Sequence, residues 1–256
     1  MSAQGKSTDP GFAMLGSVFH QYATFRREHR DRRIQLCKAV VDRWAAWKRK
    51  DLEHQRLTSE SFRPLSLITI RETNHSLLLG ELLNPEGGHG QGRLFLESFL
   101  ERIGIDNPAA GNWSVTIEAG RVDILLRRSE PASVVIIENK PHDAVDQPNQ
   151  LYRYWLQEIH EEHPQLDYEA AKTQSQFKVL FLPSEKYRTP TKESLSRPAG
   201  LEINSTLPGQ MPLPVDILPY AHDMADWLEA AIEQVPAENV RLRTFLQFYL
   251  ENWRNR

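Results

Sequence analysis

With a single cysteine, Cys37, in 256 residues, the chain can form no intrachain disulfide and no cysteine-based zinc cluster. A reducing, cytoplasmic setting fits that scarcity. No apolar run approaches the roughly 20 residues needed to span a bilayer, so no membrane association is expected. The opening residues, MSAQGKSTDPGF, hold no apolar core of a secretory signal, and none is expected. Gly5-Lys6-Ser7 lacks both the upstream glycine and the preceding strand of a phosphate loop. Excess positive charge is missing too: 31 Lys and Arg face 34 Asp and Glu, for a net charge of −3. Any surface that meets phosphates must therefore be a local patch. There is neither an internal repeat nor a heptad array.

What is present suits one large domain, or one domain with an extension. Residues 1–20 read as a mobile leader. From 24 to 53, Ile34, Cys37, Val40, Val41, Trp44 and Trp47 recur at helical spacing. Residues 24–56 carry 11 Lys/Arg against 5 Asp/Glu. That basic surface is either a solvated helix face or an arm for phosphates or a partner. Residues 1–56 are thus expected as leader plus basic amphipathic helix, and 57–256 as the main domain.

Further helices are expected over 67–83, ended by Asn84-Pro85, and over 93–103, after a loop with four glycines, 87–92. Strands follow at 113–118, 122–127 and 133–139, joined by turns at Ala119-Gly120 and Ser129-Glu130-Pro131. A helix over 147–161, a strand over 177–182, a loop with a short strand near 201–203, an edge strand over 215–218 and helices over 221–233 and 238–253 complete the reading. This order implies an α/β fold, a mixed central sheet flanked by helices.

The second and third strands carry charge where apolar strands should not. Asp123 sits in the run from Val122 to Leu126, and Glu138-Asn139-Lys140 closes the run Val134 to Ile137. Such charge is costly unless paired or bound to metal. Alternation puts Glu138 and Lys140 on one face, about 7 Å apart. If the strands pair, Asp123 joins them at one sheet end. Two carboxylates there would suit Mg²⁺ or Mn²⁺, and the lysine could orient or help deprotonate a metal-bound water, or offset phosphoryl charge. The alternative is a structural buried ion pair.

A strand Asp followed about fifteen residues later by Glu-x-Lys resembles the PD-(D/E)XK nuclease superfamily. Gln150-x-x-x-Tyr154 resembles the helical element of its RecB-type members, and the block 71–100 looks like the N-terminal signature of a bacterial and phage-associated branch. The resemblance spans 65–185, with Val122-Asp123 standing where the literal motif has Pro-Asp.

It implies a restriction-endonuclease-like fold and a metal-dependent nuclease, a hydrolase acting most naturally on DNA in restriction, phage defence or repair. Asp123, Glu138 and the Asn139 backbone carbonyl would hold Mg²⁺ or Mn²⁺, with Lys140 as the catalytic lysine. Glu72 would be a further acid and His75 a further ligand, unless it is a hydrogen-bonded structural histidine. Gln150 and Tyr154 would position the strand or brace Lys140. His89, Arg121 and Arg153 are candidates for substrate contact, with Arg127 and Arg128 along the same phosphate track. Glu118 is either a second acid or a solvated strand end. His160 and His163 lack zinc-site spacing. A homodimer or a defence-system partner is compatible with this reading. The rival is a catalytically silent module, binding nucleic acid or protein, that retains the fold.

Overall fold

A computed structural model describes residues 10–58, 64–67, 70–118, 122–141, 145–171, 175–201 and 207–254. The chain divides into two compact units, Met1–Phe62 and Arg63–Arg256. The first is built on one 49-residue helix, α1 (Pro10–Thr58). It starts on proline, whose missing N–H costs nothing in a first turn. Residues 10–20 are therefore helical rather than a mobile leader. Val40, Val41, Trp44 and Trp47 are exposed along α1.

In the second unit, α2 (Glu72–Leu83) follows a short 3₁₀ turn at Pro64–Leu67. The expected helix from 67 is thus shortened, because Asn74 Oδ1 accepts a hydrogen bond from the Arg71 amide and caps the helix there. Then come α3 (Leu94–Arg102), β1 (Trp113–Ile117), β2 (Ile124–Arg128) and β3 (Ser133–Lys140). The crossover α4 (Gln150–Trp155) runs into a π-helical turn, Leu156–His160. After α5 (Tyr168–Ala171) and β4 (Phe177–Pro183), α6 (Lys192–Leu195) leads to β5 (Val215–Ile217). A π-helical turn at Tyr220–Met224, α7 (Ala225–Gln234) and α8 (Val240–Arg254) follow. The short strand expected near 201–203 falls largely outside the described residues; Leu201 itself lies in a helical turn.

The five strands lie in chain order. β1, β2 and β3 pair antiparallel, whereas β3, β4 and β5 pair parallel, giving the expected mixed sheet. β5 is the edge, flanked by Pro214 and Pro219, where a missing donor is tolerated. Central β3 is buried at every residue, which explains its unbroken apolar run. Its side chains alternate between two cores. Val135 and Ile137 join Leu79, Phe99, Trp227 and Leu246 from α2, α3, α7 and α8. Val134 and Ile136 join Leu151, Tyr154 and Trp155 from α4. Helices thus cover both faces, and the polar carboxyl end of β3 lies beside the apolar carboxyl end of parallel β4, residues 181–183. Carboxyl ends of parallel strands commonly host α/β sites.

Candidate metal centre

Three elements converge at that end of β3. The β2–β3 register pairs Ile124 with Ile137, so Asp123 and Glu138 are next in line. Asp123 occupies a bend just ahead of β2 rather than the strand itself. The Asn139 amide donates to its Oδ2 at 2.7 Å. Glu72 arrives from the first turn of α2, where the helix dipole favours a carboxylate. One oxygen each from Glu72, Asp123 and Glu138 lies within 4.8 Å of the others.

Lys140 extends between two of these acids. Its Nζ is 2.9 Å from Glu72 Oε1 and also ion-pairs with Glu138. Glu138 is 1% exposed and Lys140 4%. Apart from that ion pair, neither Glu138 oxygen accepts a well-formed hydrogen bond from the described residues. Three carboxylates against one ammonium leave the site two negative charges in excess when all are ionised, which a low-dielectric setting penalises. Proton uptake answers that strain. Burial, and then the Asp123 charge, push Glu138 up to about 8. Burial also raises Asp123 to about 6, against the Asn139 amide and Lys140. For Lys140, burial pulls down, but Glu138 and Glu72 outweigh it, so the group stays protonated above the ordinary lysine range.

The donor set fits a hard divalent cation. Neighbouring oxygen ligands held at about 2.1 Å from Mg²⁺ lie about 3 Å apart, so an ion would draw the three acids closer together. The surplus negative charge and the underused buried Glu138 oxygens supply what such an ion needs.

A family model described as the PD-(D/E)XK nuclease superfamily matches residues 62–251, which include all three carboxylates and Lys140. The chain belongs to this superfamily. No curated protein and no solved structure matches it significantly. Val122, which stands where the literal superfamily motif has proline, is fully buried in the α4-side core.

The other sequence candidates divide sharply. Gln150 Nε2 donates to Tyr154 Oη at 2.9 Å, and both side chains are buried on the Glu138 face. Burial, and then the Glu138 charge, raise Tyr154 to about 12. His75 is not brought into the acid group. It is fully buried, with Nδ1 2.9 Å from Tyr249 Oη and its ring against Tyr220, so its surroundings favour the structural alternative. His89, expected to contact substrate, uses both ring nitrogens within its own loop: Nδ1 accepts from the Gln91 amide and Nε2 donates to the Asn84 carbonyl. Arg128 leaves the expected phosphate track. Only 3% exposed, it donates to the Asp106, Ala110 and Pro131 carbonyls and lies over Trp113. Arg127 pairs with Glu158 and Glu162. Arg153 is half-buried and reaches Gln147 Oε1 at 3.4 Å. Arg121 lies outside the described residues. Glu118 holds the hairpin turn with φ 54°, its amide donating to the Asp123 carbonyl. His160 and His163 pack instead on Tyr168 and Phe177.

Sequence reasoning overlooked Ser76, Tyr220 and Tyr249, which contact residues beside the acids. A usable signal was Asn139 itself. It shares the register of Val135 and Ile137, so its amide must point into the apolar core and find partners there.

Proposed function

We propose that this chain is a metal-dependent nuclease that hydrolyses phosphodiester bonds in DNA. The observation carrying this reading is the convergence of Glu72, Asp123 and Glu138 around a buried Lys140. Mg²⁺ or Mn²⁺ bound there would supply Lewis acidity toward the scissile phosphate and a more acidic water. Glu72, Asp123 and Glu138 would hold the ion, with the Asn139 carbonyl as a further ligand.

Lys140 would act as a cation. Because its neighbours keep it protonated, it serves better to hold the attacking water and offset charge developing on the phosphoryl oxygens than to abstract a proton. In-line attack would leave a 5′-phosphate and a 3′-hydroxyl. Gln150 and Tyr154 brace the face on which Glu138 and Lys140 act, and Arg153 is the remaining described candidate for phosphate contact. DNA, rather than RNA, is favoured by superfamily membership. The catalytic unit is assigned to residues 57–256, with the leader and basic helix, 1–56, outside it.

The test is incubation with Mg²⁺ or Mn²⁺ and linear, circular, single-stranded and branched DNA, with matched RNA. Lys140→Ala serves as the control. Metal-dependent cleavage by the parent chain, absent from the control, supports the assignment. Binding without cleavage across the panel would make the chain a silent module instead.

A further inference from the structure

The face of β3 opposite the carboxylates carries a directed chain of buried hydrogen bonds. Tyr220 Oη donates to Asn139 Oδ1 at 2.7 Å, and Asn139 Nδ2 donates to Ser76 Oγ at 2.8 Å. The Ser76 hydroxyl in turn donates to the Glu72 backbone carbonyl at 3.2 Å. The chain thus begins at the turn preceding α7, passes through the residue between Glu138 and Lys140, and ends on the backbone of the third acid. Asn139 and Ser76 are fully buried, and Tyr220 is 2% exposed.

Helix α2 is gripped a second time, from α8. His75, one residue before Ser76, meets Tyr249 of α8. Tyr249 and Tyr220 both pack on Trp253, at ring separations of 4.5 and 4.9 Å. Helix α2 and strand β3 are therefore tied to each other and to one aromatic cluster at the C-terminal end of the chain.

We infer that Ser76 and Tyr220 are positioning residues of the metal centre, fixing the distance between Glu72 on α2 and the Glu138–Lys140 pair on β3 through the Asn139 side chain. This rests on the metal-centre reading above. The physical argument is one of rigidity. A carboxylate set drawn from a helix and two strands can move apart by sliding of α2 along the sheet, and apolar contacts resist sliding weakly because they are non-directional. A buried amide with a fixed donor end and a fixed acceptor end resists it strongly, since either slip strands a polar group in the core. Mg²⁺ tolerates little deviation from its octahedron, so its binding would depend most on that constraint.

The experiment is titration of the metal-free full-length protein with Mn²⁺ and with Mg²⁺, by calorimetry, at a temperature where every variant is folded by circular dichroism. Tyr220→Phe and Ser76→Ala are each expected to weaken binding about tenfold or more, the scale found when groups orienting metal ligands are removed. Mg²⁺ should suffer more than Mn²⁺. The double variant should lose less than the product of the two single losses, because both break one chain. Tyr152→Phe is the comparison, since it deletes a hydroxyl bonded to the Pro208 carbonyl, away from the acids; it should bind as the parent does. Parent-like affinity in Tyr220→Phe and Ser76→Ala, or an equal loss in Tyr152→Phe, overturns the inference. Absence of metal binding by the parent chain, or undiminished binding by Asp123→Asn, overturns the underlying metal-centre reading instead.

Discussion

The two faces of β3 at its C-terminal end are opposites. On one, Glu138 and Lys140 face Asp123 and Glu72, with acid in excess and buried carboxylate oxygens short of hydrogen-bond donors. On the other, Asn139 has each end of its amide bonded to a buried hydroxyl. Two residues of one strand, equally removed from water, are treated in contrary ways. A fold that can satisfy Asn139 completely could satisfy Glu138 as well. Glu138, left with one ion pair in a field of like charge, belongs to an acidic cluster that could hold a cation.

Breaking the charged face should have the largest effect. Asp123→Ala, Glu138→Ala and Lys140→Ala should each abolish Mg²⁺-dependent cleavage, a loss of roughly a thousandfold or more, in line with removal of a preorganised electrostatic group. Retained cleavage by all three would sink the assignment.

Next comes the response of that face to pH. Glu138 rises from the ordinary 4.5 to about 8 and Asp123 from 3.8 to about 6. Between these limits the folded state holds more protons than the unfolded one, so metal-free stability falls as pH increases from about 4 toward 8. Bound metal displaces those protons, so affinity for Mg²⁺ climbs over the upper part of the same range. Thermal melts with and without Mg²⁺ over roughly pH 5.5 to 8.5 should show a gap that widens as pH rises. A constant gap would contradict the sign. Glu138→Gln should raise the metal-free melting temperature at the alkaline end while eliminating activity.

The satisfied face predicts the reverse pattern. Asn139→Leu should cost about 1–3 kcal/mol, because it removes both buried hydrogen bonds of the Asn139 side chain, those with the Ser76 and Tyr220 hydroxyls. Denaturant unfolding measures this directly, and a neutral result would deny those bonds their structural weight. Smallest of all, Arg127→Gln should change stability by about 1 kcal/mol and leave cleavage intact, since Arg127 and Glu162 are partly exposed and only Glu158 is largely covered.

The charged face was legible in the sequence and the satisfied face was not. Asp123, Glu138 and Lys140 announce themselves because each interrupts an apolar run, and charge in such a run has few inexpensive explanations. The strands were legible for the same reason, as apolar runs bounded by turn residues. Glu72 could be read only through the resemblance of its block, because an acid at a helix start is commonplace. Ser76, Tyr220 and Tyr249 carry no spacing signature at all; only the fold brings them near β3. Arg128 and His89 misled in the other direction. Arg128 lies beside the strand acids in sequence but points to the far end of β2, where it clamps the loop before β1. His89 owes its place to a glycine loop that consumes both of its nitrogens internally.

The hydrogen bonds to Tyr220 and Tyr249 also tie the acid-bearing elements to the part of the chain that is synthesised last. By the time Glu138 has been translated the whole acid set exists as sequence, yet β4, the parallel partner of β3, and both tyrosines are still to come. Long-range pairing of this kind is completed late in vectorial folding. A chain halted after β3 would thus hold all three acids and Lys140 but none of the tyrosines that bond to α2 and β3.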